Sequence, residues 1–439
     1  MVDRIERTVR KFRDILAETE RLDTQKLRLY QESLLVPLLN HARRNVPFYK
    51  KRLAPLFHGD EIDVSRWSEV PILTRAQAQQ KKLALTASRI PPHSGSVRSN
   101  ETSGSTGRPL DFKLNELVDV AALGMTDRVY RWWQFDGERA MASIFPPRSI
   151  SAPLPDGVTL KGWRPGFPDG LHYIINLPPD ADALIDWLIA RRPSYLASGS
   201  WILAPMAHRV MERGLALRFD GIVTKTTMVS EETRAICLDV FGTRLADQYG
   251  ADEIGHIASE CPSCGEYHIS AEAVLVEIVD DAGAPCAPGE TGRVILTALY
   301  NYAMPFIRYE IGDFATLGIG GGRCHIKLPT LARIVGRYRN TYASADGRVI
   351  YPTVQLGRLR DYLSFSQAQL VQTDYGQLEL RYVPDEFAGD PDEAGIEGYL
   401  RTVVEADLRV RIVAVDEIPR HPSGKFEEFI SLVPRPWLH

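Results

Sequence analysis

Between residues 180 and 236 the chain alternates helix-length and strand-length segments, and this alternation restricts the fold more than any other stretch. Residues 181–190 have helical spacing, Tyr195-Leu196 reads as strand, 201–213 as helix again, and Gly221-Ile222-Val223-Thr224 as a buried strand. Ser230-Glu231-Glu232-Thr233 then has the form of a capped helix start. Short strands separated by helices imply an α/β sheet covered on both faces.

The flanking sequence extends that plan. Residues 1–52 read as mainly helical, with Leu27, Tyr30, Leu34 and Leu38 on one face and Pro37 expected to break or kink it. Residues 116–135 form a predicted helix ending near Tyr130, Trp132 and Trp133, which either fill a core or wall a substrate pocket. A short strand at 140–145 leads into a Pro/Gly-rich excursion, 146–176, the expected place for substrate contacts or a lid. From Ser344 the elements shorten: strands near 349–351, 370–373 and 377–382, an acidic loop at 385–392 and a helix at 393–404. A small α+β domain at the end of the chain is predicted.

With 439 residues the chain has room for more than one compact unit, and a net charge of -4 provides no global field for nucleic acid or anionic membrane. No apolar run is long enough to span a bilayer and residues 1–19 lack a secretory pattern, so a cytoplasmic protein is expected. A homodimer remains compatible with an ordinary surface of this kind.

Five runs carry polar chemistry. Residues 101–110 hold Gly104 and Gly107, the hydroxyls of Thr102, Ser103, Ser105 and Thr106, and Arg108: a phosphate cradle or an ordinary turn, with neither Walker nor G-x-G-x-x-G spacing. Asp247 to Glu253 contains Tyr249-Gly250 followed by Asp252 and Glu253, suited to stacking a purine and holding a divalent cation, or a polar turn beside a helix. Met304 to Asp313 reads as a strand ending in a Gly-Asp turn whose Asp313 accepts ribose hydroxyls or local backbone N–H groups. Arg337 follows Ile334-Val335-Gly336 and either bridges ribose and phosphate or faces solvent. Lys425 follows a Ser-Gly turn, as a flexible cation or a surface lysine.

In this order the runs resemble the signatures of the adenylate-forming superfamily, most closely its phenylacetate-CoA ligase branch. Ser103 to Pro109 resembles its phosphate loop, Tyr249-Gly250 to Glu253 its Tyr-Gly-x-x-Glu motif, Arg308 to Asp313 its Arg-Tyr-x-x-Gly-Asp motif, and Pro419-Arg420 to Gly424-Lys425 its terminal lysine motif. The 41–49 and 70–74 segments also resemble the start of that branch. The resemblance implies a large multi-layer α/β adenylation domain, 1–339, and a small mobile α+β domain, 340–439, with a hinge near Asn340 where many relatives have aspartate. It implies ATP, Mg²⁺ and coenzyme A as partners of a carboxylic acid, with an aromatic acid preferred.

Residue by residue, the resemblance gives Thr102 to Gly107 and Arg108 to the phosphates, and Glu253 to Mg²⁺. Tyr249, Gly250, Asp313 and Arg337 fall to adenosine, and Lys425 to the reacting oxyanions. Asp252 stands where many relatives have a hydroxyl residue, and Arg108 where many have lysine. An acid-activating ligase that acylates an amine or a carrier protein is the enzyme alternative. A nucleotide-binding interaction protein is the non-enzyme alternative, against which the joint presence of Glu253 and Lys425 argues.

The five cysteines, Cys237, Cys261, Cys264, Cys286 and Cys324, are an odd set that does not suit a disulfide scaffold. Cys261-x₂-Cys264-x₃-His268 has soft-ligand spacing for Zn²⁺, with Cys324 as the best fourth ligand; buried free thiols are the alternative. Some members of the branch have a comparable structural site, in which Cys261, His268 and Cys324 find counterparts, and Cys264 is the substitute for a cysteine replaced here by Gly322.

Overall fold

The computed structural model describes residues 2–102, 110–145, 150–177, 180–225, 229–320, 324–337, 342–344, 349–350, 356–385, 389–404, 408–418 and 429–433. The chain divides into two compact units, residues 1–228 with 236–334, and residues 229–235 with 335–439.

The larger unit is built on a twelve-stranded sheet. Its spatial order is Val274–Val279, Thr291–Ala298, Tyr309–Leu317, Thr330–Arg337, Tyr267–Ile269, Gly255–Glu260, Leu245–Ala251, Gly221–Lys225, Tyr195–Gly199, Met141–Phe145, Leu171–Asn176, Val158–Lys161. Five neighbours, from Leu245–Ala251 to Leu171–Asn176, run parallel. Helices Ala181–Arg191 and Leu203–Glu212 occur in the connections between parallel strands, which is what the spacing of 180–236 demands. Beyond them the pairing turns antiparallel, through Gly255–Glu260 and Tyr267–Ile269 on one side and Val158–Lys161 on the other. The sheet is therefore mixed, with a parallel centre.

Burial follows chemistry. Gly221–Lys225 is buried at its first four residues, as its apolar run predicts, and only Lys225 at its C-terminal end reaches solvent. The N-terminal segment is helical over Val2–Thr19 and Thr24–Asn45, and the second helix continues through Pro37. The expected break does not occur, because Leu35, Leu38 and Leu39 seat that stretch in the main core and tertiary packing outweighs one missing backbone bond. Among the described residues, no helix is long and apolar enough to cross a membrane.

The second unit contains a separate four-stranded sheet in the order Arg409–Ala414, Gln377–Pro384, Phe365–Asp374, Phe429–Ser431. Helix Glu393–Val404 contributes Ile396, Leu400 and Val404 to a core with Leu370, Leu378 and Leu380. The strands at its centre and the helix match the sequence reading of an α+β unit. The sequence reading leaves out the outer strands Arg409–Ala414 and Phe429–Ser431, although Val410, Ile412 and Val413 give the first a β-branched pattern.

Candidate active site

Thr102 closes the neck of the glycine- and hydroxyl-rich loop. Strands Val97–Glu101 and Asp111–Asn115 pair as a hairpin. Just beyond the last pair, the Thr102 N–H donates to Leu110 O at 2.9 Å, and the Leu110 N–H donates to Thr102 Oγ1 at 3.0 Å. Ser103, Gly104, Ser105, Thr106, Gly107 and Arg108 lie outside the described residues, as do Asn340 and Lys425; for Arg337 only the backbone, at the end of Thr330–Arg337, is described.

The Tyr-Gly motif is not the turn that its sequence suggests. Tyr249 and Gly250 lie within Leu245–Ala251, which forms an antiparallel hairpin with Gly255–Glu260, and the register shifts between them. A side chain on Gly250 would place its first carbon 2.8 Å from Gly255 O, so this close approach requires glycine. The true turn is at 252–254, and it carries Glu253 into a buried position, 3% exposed. Asp252 remains exposed.

Gly312-Asp313 is likewise interior to a strand, Tyr309–Leu317, rather than a terminating turn. Opposite it the pairing jumps from Arg293 with Phe314 to Ile295 with Glu310, so residues 311–313 form the irregular part of the ladder. Gly312 adopts φ +88°, a conformation that glycine permits and that re-aims Asp313.

Two hydrogen bonds then tie hairpin to strand. Tyr249 Oη donates to Asp313 Oδ2 at 2.7 Å, and Tyr309 Oη donates to Glu253 Oε1 at 3.1 Å. Burial and the Glu253 carboxylate both raise the Tyr309 pKa, which keeps it a neutral donor. Arg75, at the start of helix Arg75–Gln80, completes the set: its Nη1 lies 3.2 Å from Glu253 Oε1 and its Nη2 donates to Thr102 Oγ1 at 2.8 Å. Glu253 Oε2 has no protein hydrogen-bond partner among the described residues. A buried carboxylate held through one oxygen by Tyr309 and Arg75 fits a role as a hard-cation ligand.

No protein-family model matches the chain. A phenylacetate-coenzyme A ligase of Thermus thermophilus is 25% identical over 472 aligned residues, covering 94% of this chain and 98% of that ligase. The chain is similar to that ligase along nearly its whole length. The structure of 2-hydroxyisobutyryl-CoA ligase in its postadenylation state with 2-HIB-AMP is similar in fold, with a TM-score of 0.72 at 16% identity over 94% of this chain and 91% of that one. The same enzyme with 2-HIB-AMP and CoA in the thioesterification state gives 0.60 at 17% identity over 95% and 92%. The mixed sheet and the separate C-terminal sheet are those of the 2-hydroxyisobutyryl-CoA ligase fold.

The sequence reading gives Arg75 and Tyr309 no role, although Tyr309 belongs to a segment that resembles the ligase branch and Arg75 directly follows another. Their partners are distant in sequence: Arg75 meets Thr102 across 27 positions and Glu253 across 178. The aromatics at the end of helix Glu116–Trp132 take the packing role. Tyr130 stacks on Phe135 at 5.4 Å and meets Trp163 edge-on at 5.1 Å, Trp132 Nε1 donates to Glu20 Oε2, and Trp133 Nε1 donates to Glu260 O.

The cysteine set converges as its spacing suggests. One ligand atom from each of Cys261, Cys264, His268 and Cys324 lies within 4.8 Å of the others. His268 Nε2 is 3.2 Å from Cys324 Sγ and 3.7 Å from Cys264 Sγ, while Nδ1 lies 3.2 Å from Leu328 O, a partner that fixes the ring. Burial raises the Cys261 thiol, but His268 and the N–H groups of Cys264 and Ser263 outweigh it and bring the pKa down to about 6. Three sulfurs and one imidazole nitrogen fit a closed tetrahedral Zn²⁺ site. Cys237 is buried alone in the core and Cys286 is half-buried elsewhere.

Proposed function

We infer that the chain is an AMP-forming acid–CoA ligase, which first joins a carboxylic acid to the α-phosphorus of ATP with release of pyrophosphate and then passes the acyl group to the coenzyme A thiol. The observation carrying this reading is Arg75, which spans from the neck of the phosphate loop at Thr102 to the buried carboxylate of Glu253. One guanidinium thereby couples the loop expected to hold phosphates to the group suited to hold their cation. Likeness to phenylacetate-CoA ligase along nearly the whole chain supports the same chemistry.

Attack of one anion on another needs positioning and positive charge rather than a covalent enzyme nucleophile. Thr102 to Gly107 and Arg108 hold the phosphates, and Glu253 holds Mg²⁺, which neutralises their charge. Tyr249, Asp313 and Arg337 orient adenosine, with the Tyr249–Asp313 bond setting the spacing between the ring face and the ribose acceptor. Lys425 supplies the flexible cation to the reacting oxygens. A boundary at 339/340, with its hinge at Asn340, lets the terminal unit present Lys425 for the first step and withdraw it for the second. Zn²⁺ at Cys261, Cys264, His268 and Cys324 serves structure. An aromatic acid is the donor that the phenylacetate-CoA ligase likeness favours.

Pyrophosphate exchange across a panel of acids, with wild type and Lys425→Ala, tests the activation step. Exchange in wild type and a loss of about 100-fold or more in the variant are expected for an essential transition-state contact. Equal rates remove Lys425 from that role. Product masses with coenzyme A, amines and carrier proteins identify the acceptor, and an amide product in place of a thioester overturns the CoA assignment.

A further inference from the structure

Lys225 ends the central parallel strand Gly221–Lys225, at the edge of a sheet where α/β folds bind ligands. It pairs in register with Gly199 on one side and Gln248 on the other, and Gln248 pairs with Ser259. Directly opposed residues in a sheet project to the same face, so Gly199, Lys225, Gln248 and Ser259 form one row across four strands. Gly199 leaves that row open, and among the described residues two of the remaining side chains are donors without acceptors. Gln248 is 7% exposed, yet its Nε2 has no hydrogen-bond partner among the described residues. Lys225 forms no hydrogen bond or ion pair among the described residues.

The other groups around the row do not fill this need. His256 uses Nε2 with Ser259 Oγ and Nδ1 with Ser270 Oγ, both at 2.9 Å. Asp252, just past Gln248 in the hairpin, acts on Lys225 electrostatically but does not close to an ion pair. Lys225 reaches solvent while protein crowds its sides, and burial lowers its pKa against the opposing pull of Asp252. Two residues back on the same face, Ala197, Val223 and Ala246 join the aromatic cluster of Tyr130, Phe135 and Tyr195, so an apolar floor lies beneath the polar row. A buried amide N–H without an acceptor is destabilising, and a ligand oxygen removes that penalty.

Building on the acid–CoA ligase reading, we propose that Lys225 and Gln248 receive a second anionic group on the acyl part of the substrate, so that the acid activated is a dianion rather than a plain hydrocarbon acid. The ammonium supplies the charge and the Gln248 amide the direction. The carboxylate to be activated remains with the phosphates near Thr102 and Glu253.

The experiment compares a dicarboxylic acid with its half-amide, a monoanion in which only the second carboxylate is replaced by a neutral isostere, in pyrophosphate exchange by wild type, Lys225→Met, Lys225→Arg and Lys225→Glu. Wild type is expected to favour the dianion in kcat/KM. Lys225→Met lowers the dianion-to-amide ratio by about tenfold or more, the scale of a charged hydrogen bond, while Lys225→Arg preserves part of it. Lys225→Glu reverses the ratio. Equal ratios in wild type and Lys225→Met overturn the inference, as does an effect confined to the KM for ATP, which assigns Lys225 to the nucleotide. Exchange with hydrocarbon acids alone overturns the inference and leaves the ligase reading standing. No exchange with any acid by a wild-type protein shown to be folded overturns both.

Discussion

Arg75 and Glu253 meet at 3.2 Å in a nearly buried ion pair, and the same guanidinium holds Thr102. An arginine at the first position of a short helix has little reason to be drawn inward except by these partners and the Tyr309 hydroxyl, 3.3 Å from the same Nη1. Its planar fork lets one nitrogen serve the carboxylate while another serves the hydroxyl, a division that an ammonium cannot reproduce in the same geometry.

Arg75→Ala is therefore expected to lower kcat/KM for ATP by about 10- to 100-fold, the range of one or two charge-assisted hydrogen bonds, and to raise the Mg²⁺ concentration required. Lysine at this position recovers only part. Pairing Arg75→Ala with Glu253→Gln in a double-mutant cycle should give losses smaller than the sum, since the two residues form one unit. Additive losses, or an Arg75→Ala enzyme within twofold of wild type, count against the coupling.

Tyr249 joins the hairpin to Asp313 at 2.7 Å. Tyr249→Phe retains the ring face and removes only the donor, so the KM for ATP should rise by about three- to tenfold, with kcat little changed; this corresponds to one modest hydrogen bond. Tyr249→Ala removes the stacking surface too and should weaken ATP binding further. Calorimetric titration of ATP distinguishes the two, and an unaltered affinity in Tyr249→Ala removes the ring from the adenosine site.

The parts of this arrangement legible in sequence are those fixed locally. Gly221 to Thr224 declared a buried strand by composition, and Cys261, Cys264 and His268 declared a cluster by spacing. Gly250 and Gly312 look like turn residues in sequence because glycine is common in turns; their place inside strands depends on what the partner strand brings close, Gly255 O for Gly250 and the skipped pairing after Arg293 for Gly312. Arg75 and the Lys225–Gln248 row depend on tertiary contact and ladder register, which no local pattern encodes.

His256 makes acid stability measurable. Burial, reinforced by Arg128 and Lys225, brings its pKa from 6.5 to about 3 in the folded chain. The unfolded state therefore binds a proton that the native state refuses between those values, and stability falls as pH drops through that window while remaining full above it. Burial lowers His172 and His41 in the same direction. Thermal unfolding at pH 7.5 and pH 5, conditions chosen on either side of about 6.5, should show a lower Tm at the acid value, with a smaller difference in His256→Gln. Equal differences in the two proteins exclude His256 as a source of the acid sensitivity.

The sulfur and imidazole cluster gives the last prediction. With Cys261, Cys264, His268 and Cys324 as ligands every position of a tetrahedral ion is taken by protein, so the metal can stabilise the hairpin region but cannot present water to a substrate. The purified protein is expected to hold about one Zn²⁺ per chain. Cys264→Ser should lose most of it and lower the Tm, whereas Cys237→Ser, altering a thiol buried apart from the cluster, should retain it. Chelation should lower the Tm of wild type more than that of Cys264→Ser, because ligand binding stabilises only a state that still binds it. Zinc content equal in wild type and Cys264→Ser would take Cys264 out of the site, and a metal-free wild type grown with zinc would leave the four side chains as a partly buried cluster of free thiols and an imidazole.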